Sequence, residues 1–189
     1  MDKFSELARF FFELGNLKRV KRSGWWLAGV ENPETIAEHN ARAAIIAYIL
    51  AKLEGADANK AALMCLIHDI PEVRTSDIHK IGTRYIDSKS AERKAREEQL
   101  KGMRECSELL SLLEEFEAKK TREAIIAKDA DYLECYFQAK EYYDIGYKEA
   151  KDWMKNAKKA LKTKSAKAIA DKAAKMRAHA WWEGLKKID

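Results

Sequence analysis

Residues 35–54 read TIAEHNARAAIIAYILAKLE, and this stretch decides what kind of chain surrounds it. Thr35 and Glu38 have the T-x-x-E spacing of a capping box, which satisfies the first free N–H groups of a helix. Ile36, Ala43, Ala44, Ala47 and Leu50 then recur at three- and four-residue intervals, the apolar stripe of an amphipathic helix that runs to about Glu54. His39 falls inside that stripe, three residues after Ile36 and four before Ala43. An ionisable ring on a face meant for the core is the first anomaly.

The same periodicity extends in both directions. Upstream, Phe4, Leu7, Ala8, Phe11 and Phe12 predict a helix over residues 2–16 that ends near Gly15, and residues 18–33 break the pattern with Gly24, Gly29 and Pro33 and read as a loop. Downstream, residues 58–70 align Ala61, Met64, Cys65 and His68 before Pro71 stops the helix by its missing N–H. Turns and short helical pieces are expected over 71–87. Further helices are expected over 88–106, 107–118 and about 120–144, and two basic amphipathic helices complete the chain. The run Lys89, Glu92, Arg93, Lys94, Arg96 and Glu97 reads as an exposed, charge-paired helix.

Composition agrees. Three Val and five Thr stand against 29 Ala among 189 residues, and 2 Pro with 8 Gly leave few breakers, so strands are disfavoured and an all-α fold is expected. Apolar residues at 47% and charged residues at 35% describe a chain that folds around its own core. The expected organisation is a single domain over 1–189, a bundle of about seven to nine helices, with a basic helical extension from about 148. The longest apolar run, residues 43–51, is far short of the roughly 20 residues that cross a bilayer. Cys65, Cys106 and Cys135 form no C-x-x-C pair and read as reduced thiols, which points to the cytoplasm. The net charge of +5 is uneven: residues 148–189 hold 13 Lys and Arg against 5 Asp and Glu. Those lysines alternate with Trp153, Met154, Ala157, Leu161 and Ile169 at helical spacing, which reads as a solvated face rather than a nucleic-acid surface.

Two more ionisable side chains share the anomaly of His39. His68 follows Met64 by four and Cys65 by three. Asp129 follows Ile125 and Ile126 and precedes Tyr132 and Leu133 at helical spacing. A buried carboxylate needs a cation, a hydrogen-bond network or a metal. Together with Asp69 these residues make a mixed nitrogen and oxygen donor set suited to a divalent first-row ion.

The order His39, His68-Asp69, Asp129 resembles the H…HD…D signature of the HD-domain metal-dependent phosphohydrolases. The flanking text R-S-G-W at 22–25, P-E-T-I-A-E-H at 33–39, H-D-I-P-E-V-R-T-S-D-I at 68–78 and K-D-A-D-Y-L-E at 128–134 is similar to the 5′-deoxynucleotidase, or oxetanocin-like, branch, over about residues 1–145. The resemblance implies an all-helical dimer that binds one transition metal, cobalt or manganese, and hydrolyses deoxyribonucleoside 5′-monophosphates to nucleoside and phosphate. It implies metal ligation by His39, His68, Asp69 and Asp129, catalysis by Glu72 and Asp77, and substrate contacts from Asp77, Arg22 and the sugar-discriminating Trp25. Trp26 is then the better core candidate. The branch commonly has T-G-D where this chain has T-S-D at 75–77, so a differently shaped turn is expected before Asp77. Competing readings are a deoxynucleoside triphosphate hydrolase and a non-catalytic RNA-binding module with a structural metal. With His79 the one histidine between residues 70 and 128, a two-metal site with extra histidines is not buildable.

Overall fold

The computed structural model describes residues 2–185 and is all-α: the described residues form nine α-helices, joined by short 3₁₀ turns. In chain order they are α1 (Lys3–Leu14), α2 (Ile36–Glu54), α3 (Ala58–Ile67), α4 (Glu72–Thr75), α5 (Ser88–Leu100), α6 (Ser107–Ala118), α7 (Arg122–Asp144), α8 (Ala150–Ala160) and α9 (Lys164–Ala173). Six of the nine helix starts carry a side-chain cap. Asp2, Thr35, Asp57, Asp87, Thr121 and Thr163 each accept a backbone N–H at an N-cap, and the Thr35–Glu38 capping box is complete.

The helix α7 is the axis of the molecule. It packs on α2, α3 and α6 along one side and on α8 and α9 along another. Consequently 11 of its 23 residues are buried, polar ones included, and it has no continuous solvent face. The main core joins Ala47, Leu50, Met64, Ile126, Leu133 and Leu161. A second, smaller core holds Trp25, Val30, Ala139 and Ala150, with Trp153 and Tyr142 packed against it.

Several expectations shift. The expected loop over 18–33 contains a 3₁₀ helix, Ser23–Ala28, and residue 21 forms a β-bridge with residue 35. The expected helix over 88–106 ends at Leu100. Its exposed face is also less complete than the charge pattern suggests: Arg96 is buried against Glu117, and Glu92 is half-buried. The burial of Trp25 and Trp26 is the reverse of the expectation. Trp25 is 1% exposed and packs edge-on against Tyr142, whereas Trp26 is 53% exposed. In a 3₁₀ turn, consecutive side chains point about a third of a turn apart, so adjacent tryptophans cannot both face the core.

Candidate metal centre

Three elements bring the donors together. The capping box fixes the first turn of α2 and places His39 at its inner side, fully buried. The end of α3 supplies His68, and the following turn supplies Asp69. His39, His68 and Asp69 offer ligand atoms within 4.8 Å of one another. The His68 Nδ1–H donates to the Cys65 carbonyl at 2.8 Å, which turns Nε2 toward the cluster, where it lies 3.1 Å from Asp69 Oδ1. His39 Nδ1 hydrogen-bonds the Glu134 carboxylate, so its Nε2 also faces inward.

The carboxylate that faces both rings from α7 is Asp131, not Asp129. Asp131 Oδ1 lies 3.2 Å from His39 Nε2 and 3.7 Å from His68 Nε2. Asp129 is buried, as its spacing predicts, but its carboxylate accepts the backbone N–H groups of Lys162 and Thr163 and the Thr163 hydroxyl, at 2.6–3.0 Å. It therefore anchors the start of α9 and does not reach the cluster. The two aspartates are two residues apart, about 200° around the helix, and face opposite neighbours.

Two further carboxylates and a guanidinium border the cluster. Arg22 Nη1 lies 3.6 Å from Asp69 Oδ2, and its Nε lies 3.8 Å from Glu34 Oε1. Glu72, in the first turn of α4, is largely buried. Burial first, then the carboxylates of Asp69 and Asp77, push its carboxyl well above the usual range. Asp77 accepts the Ser23 backbone N–H through its carboxylate, and the Ser23 hydroxyl donates to the Asp77 carbonyl at 2.9 Å and accepts from the His79 N–H at 3.1 Å. Ser23 of the R-S-G-W stretch thus staples the Asp77 loop in place. Ser76, at the position where the branch commonly has glycine, adopts φ 61°, ψ 163°, a region that glycine ordinarily occupies. Trp25 meets Glu34 through its indole N–H at 3.0 Å and lies inside the protein, so the expected direct contact of its ring with a sugar is not supported.

Spacing alone missed four residues. Asp131 and Lys128 are linked at 2.7 Å. Glu134 holds His39 and Arg42, and burial combined with Asp69 raises the carboxyl of Glu92 on α5. The i, i+3, i+6 placement of Lys128, Asp131 and Glu134 is the signal that identifies their common face.

The donor set fits a divalent ion. His39 Nε2, Asp69 Oδ2 and Glu72 Oε2 are buried without a hydrogen-bond partner, an arrangement that is costly unless another species meets them. Burial and Arg22 lower the His39 pKa, but Glu134 and Asp131 outweigh them and carry it up to about 9, so an ion would bind there by displacing a ring proton. Asp131 is held well below the usual carboxylate range: burial opposes its charge, while Lys128 and the two histidines more than compensate.

A helical fold with two histidines and two aspartates converging on unpartnered buried atoms defines a protein of the metal-centred kind. The chain belongs to the HD domain family, whose model matches residues 14–173 and so extends through α9, beyond the motif-bearing part of the sequence. It is 31% identical over 151 residues to human 5′-deoxynucleotidase HDDC2, covering 75% of this chain and 71% of that protein. It is 35% identical over 150 residues to the 5′-deoxynucleotidase HDDC2 of Dictyostelium discoideum, covering 73% and 78%. Among solved structures, a conserved hypothetical protein from Pyrococcus furiosus matches with TM-score 0.79 at 30% identity, over 89% of this chain and 99% of that one. A chain from Magnetospirillum magnetotacticum, described as a predicted metal-dependent phosphohydrolase, matches with TM-score 0.73 at 25% identity, over 91% of each.

Proposed function

We propose that this protein is a metal-dependent phosphomonoesterase that hydrolyses deoxyribonucleoside 5′-monophosphates to deoxynucleoside and phosphate. The observation that carries this reading is the group of unpartnered buried atoms on His39, Asp69 and Glu72, in a chain similar to proteins named 5′-deoxynucleotidase. His39, His68, Asp69 and Asp131 would hold the ion, with cobalt or manganese suited to the mixed donors. When bound, such an ion neutralises phosphoryl charge and lowers the pKa of water.

The chain's own residues divide the remaining work. Arg22 stays protonated: burial opposes its charge, and Asp69 and its other acidic neighbours more than offset this, so it supplies a desolvated cation for the phosphate. Glu72, raised by burial and by its acidic neighbours, is suited to exchange a proton with the attacking water. Asp77, stapled by Ser23, is placed to protonate the departing sugar oxygen or to hold the sugar hydroxyl. Trp25 acts one layer back, by fixing Glu34 beside Arg22.

A homodimer in the cytoplasm completes the proposal. Ile45, Ile49 and Leu53 form an exposed apolar stripe on α2, with exposed Leu66 on α3, and this is the face we assign to a second copy. No described helix is long and apolar enough to cross a membrane.

The test is phosphate release from a panel of deoxy- and ribonucleoside monophosphates and deoxynucleoside triphosphates, with the metal-stripped protein reloaded with cobalt, manganese, magnesium or zinc. Release from deoxymonophosphates in preference to their ribose counterparts is expected. Release confined to triphosphates, or no release with any ion, overturns the proposal.

A further inference from the structure

The K-D-A-D-Y-L-E stretch contains a lysine to which the reading above gives no task. Lys128 Nζ lies 2.7 Å from Asp131 Oδ2, the oxygen that faces away from the histidines. The ammonium also lies 5.1 Å from the ring centroids of both Phe116 and Tyr132. Phe116 in turn packs on the His68 ring, with centroids 5.0 Å apart. The cation is therefore held between two aromatic faces, and one of those faces also supports a cluster histidine. Lys128 remains charged despite its partial burial, chiefly because Asp131 offsets the desolvation.

The consequence for Asp131 is geometric. A buried carboxylate with both oxygens free can swing about its last torsion and offer a cation either one oxygen or two. Here one oxygen is committed to a half-buried ammonium that packs against two aromatic rings, so that its departure would leave both charges poorly compensated. Asp69 is not restrained in this way: its Oδ2 lies 3.6 Å from the Arg22 guanidinium and 3.8 Å from His39 Nε2 and has no hydrogen-bond partner.

We infer that Lys128 is a positioning residue that withholds Asp131 Oδ2 from the metal and so makes Asp131 a one-oxygen ligand. The inference rests on the metal-centre reading above and deepens it. A centre intended for chemistry must keep a coordination position open, whereas a closed ligand set makes a structural site. An Asp131 released from Lys128 would offer two oxygens and tend to close the centre. Loss of Lys128 is therefore expected to reduce turnover without loosening the ion, the opposite of what loss of a ligand does.

The experiment compares wild type, Lys128→Met, Lys128→Arg and His68→Ala after metal stripping, with three measurements on each. These are cobalt affinity by competition with a chromogenic chelator, the visible absorption spectrum of the cobalt form, and the gain in Tm on cobalt addition. Lys128→Met is expected to bind cobalt at least as tightly as wild type, with a changed spectrum. Its Tm gain should be larger by about 3 °C, the equivalent of roughly 1 kcal/mol in a chain of this size. With deoxymonophosphate its kcat should fall at least tenfold while KM changes less. Lys128→Arg keeps a cation on Oδ2 and should restore the wild-type spectrum and most of the rate. The inference is overturned if Lys128→Met keeps the wild-type spectrum, or if it loses cobalt to the extent that His68→Ala does. If His68→Ala itself retains cobalt at wild-type affinity, the metal-centre reading fails instead, so the two failures are distinguishable.

Discussion

The two sides of α7 bury aspartates two residues apart and treat them in opposite ways. Toward α8 and α9, Asp129 is saturated by two backbone N–H groups and a hydroxyl, and further along the helix Trp25 lies in a small aromatic core with its one polar atom bonded to Glu34. Toward α2 and α3, Asp131 faces histidines, and unpartnered atoms remain on His39, Asp69 and Glu72. Burial is the same on both sides; satisfaction is not. A buried polar group whose bonds are complete supports the fold, and one left incomplete marks where the molecule meets something else.

That contrast is easiest to break with the aspartate on the cluster side. Asp131→Ala should lose bound metal, measured by elemental analysis, and phosphate release should fall to background while the helical circular dichroism is kept. Retention of both would place the centre elsewhere. Glu72→Gln should keep the ion and lower kcat by about 10² to 10⁴, the usual range for loss of a proton-transfer group. Equal loss of ion in this variant would make Glu72 a ligand instead.

On the saturated side the readout is stability. Trp25→Ala should cost about 3–5 kcal/mol in urea unfolding, as for other large buried aromatics, against less than about 0.5 kcal/mol for the exposed Trp26→Ala. Asp129→Ala should keep the ion but lose about 3 kcal/mol, because the N–H groups of Lys162 and Thr163 and the Thr163 hydroxyl lose a charged acceptor. Metal loss in Asp129→Ala without a fall in stability would erase the distinction between the two sides. Ser76→Gly should give the smallest change, a stabilisation of about 1 kcal/mol in the same assay, by relieving the positive φ.

Much of the helical content was legible in the sequence, since caps, Pro71 and three- to four-residue spacing are local signals. His39 and His68 were legible for the same reason: α2 and α3 each have one buried stripe, and a histidine in it stands out; Asp69 was legible only as the neighbour of His68 in the H-D pair. Periodicity failed on α7 because it assumes a wet face and a dry face. A helix enclosed by neighbours on several sides hides Asp129 and Asp131 equally, so inward placement could not select between them. The adjacent Trp25 and Trp26 posed a related problem, since a short 3₁₀ turn has too few residues to establish a period.

The sequence by itself determined the helices, the inward placement of two of the four donors, His39 and His68, and the kinship of the motifs, because each depends on residues within a few turns of one another. Tertiary structure alone decided which aspartate meets the histidines, that Lys128 occupies its outer oxygen, and that Ser23 reaches across 54 positions to hold Asp77. Those outcomes depend on which helix lies against which, and packing of that kind is settled by the whole core rather than by any one segment.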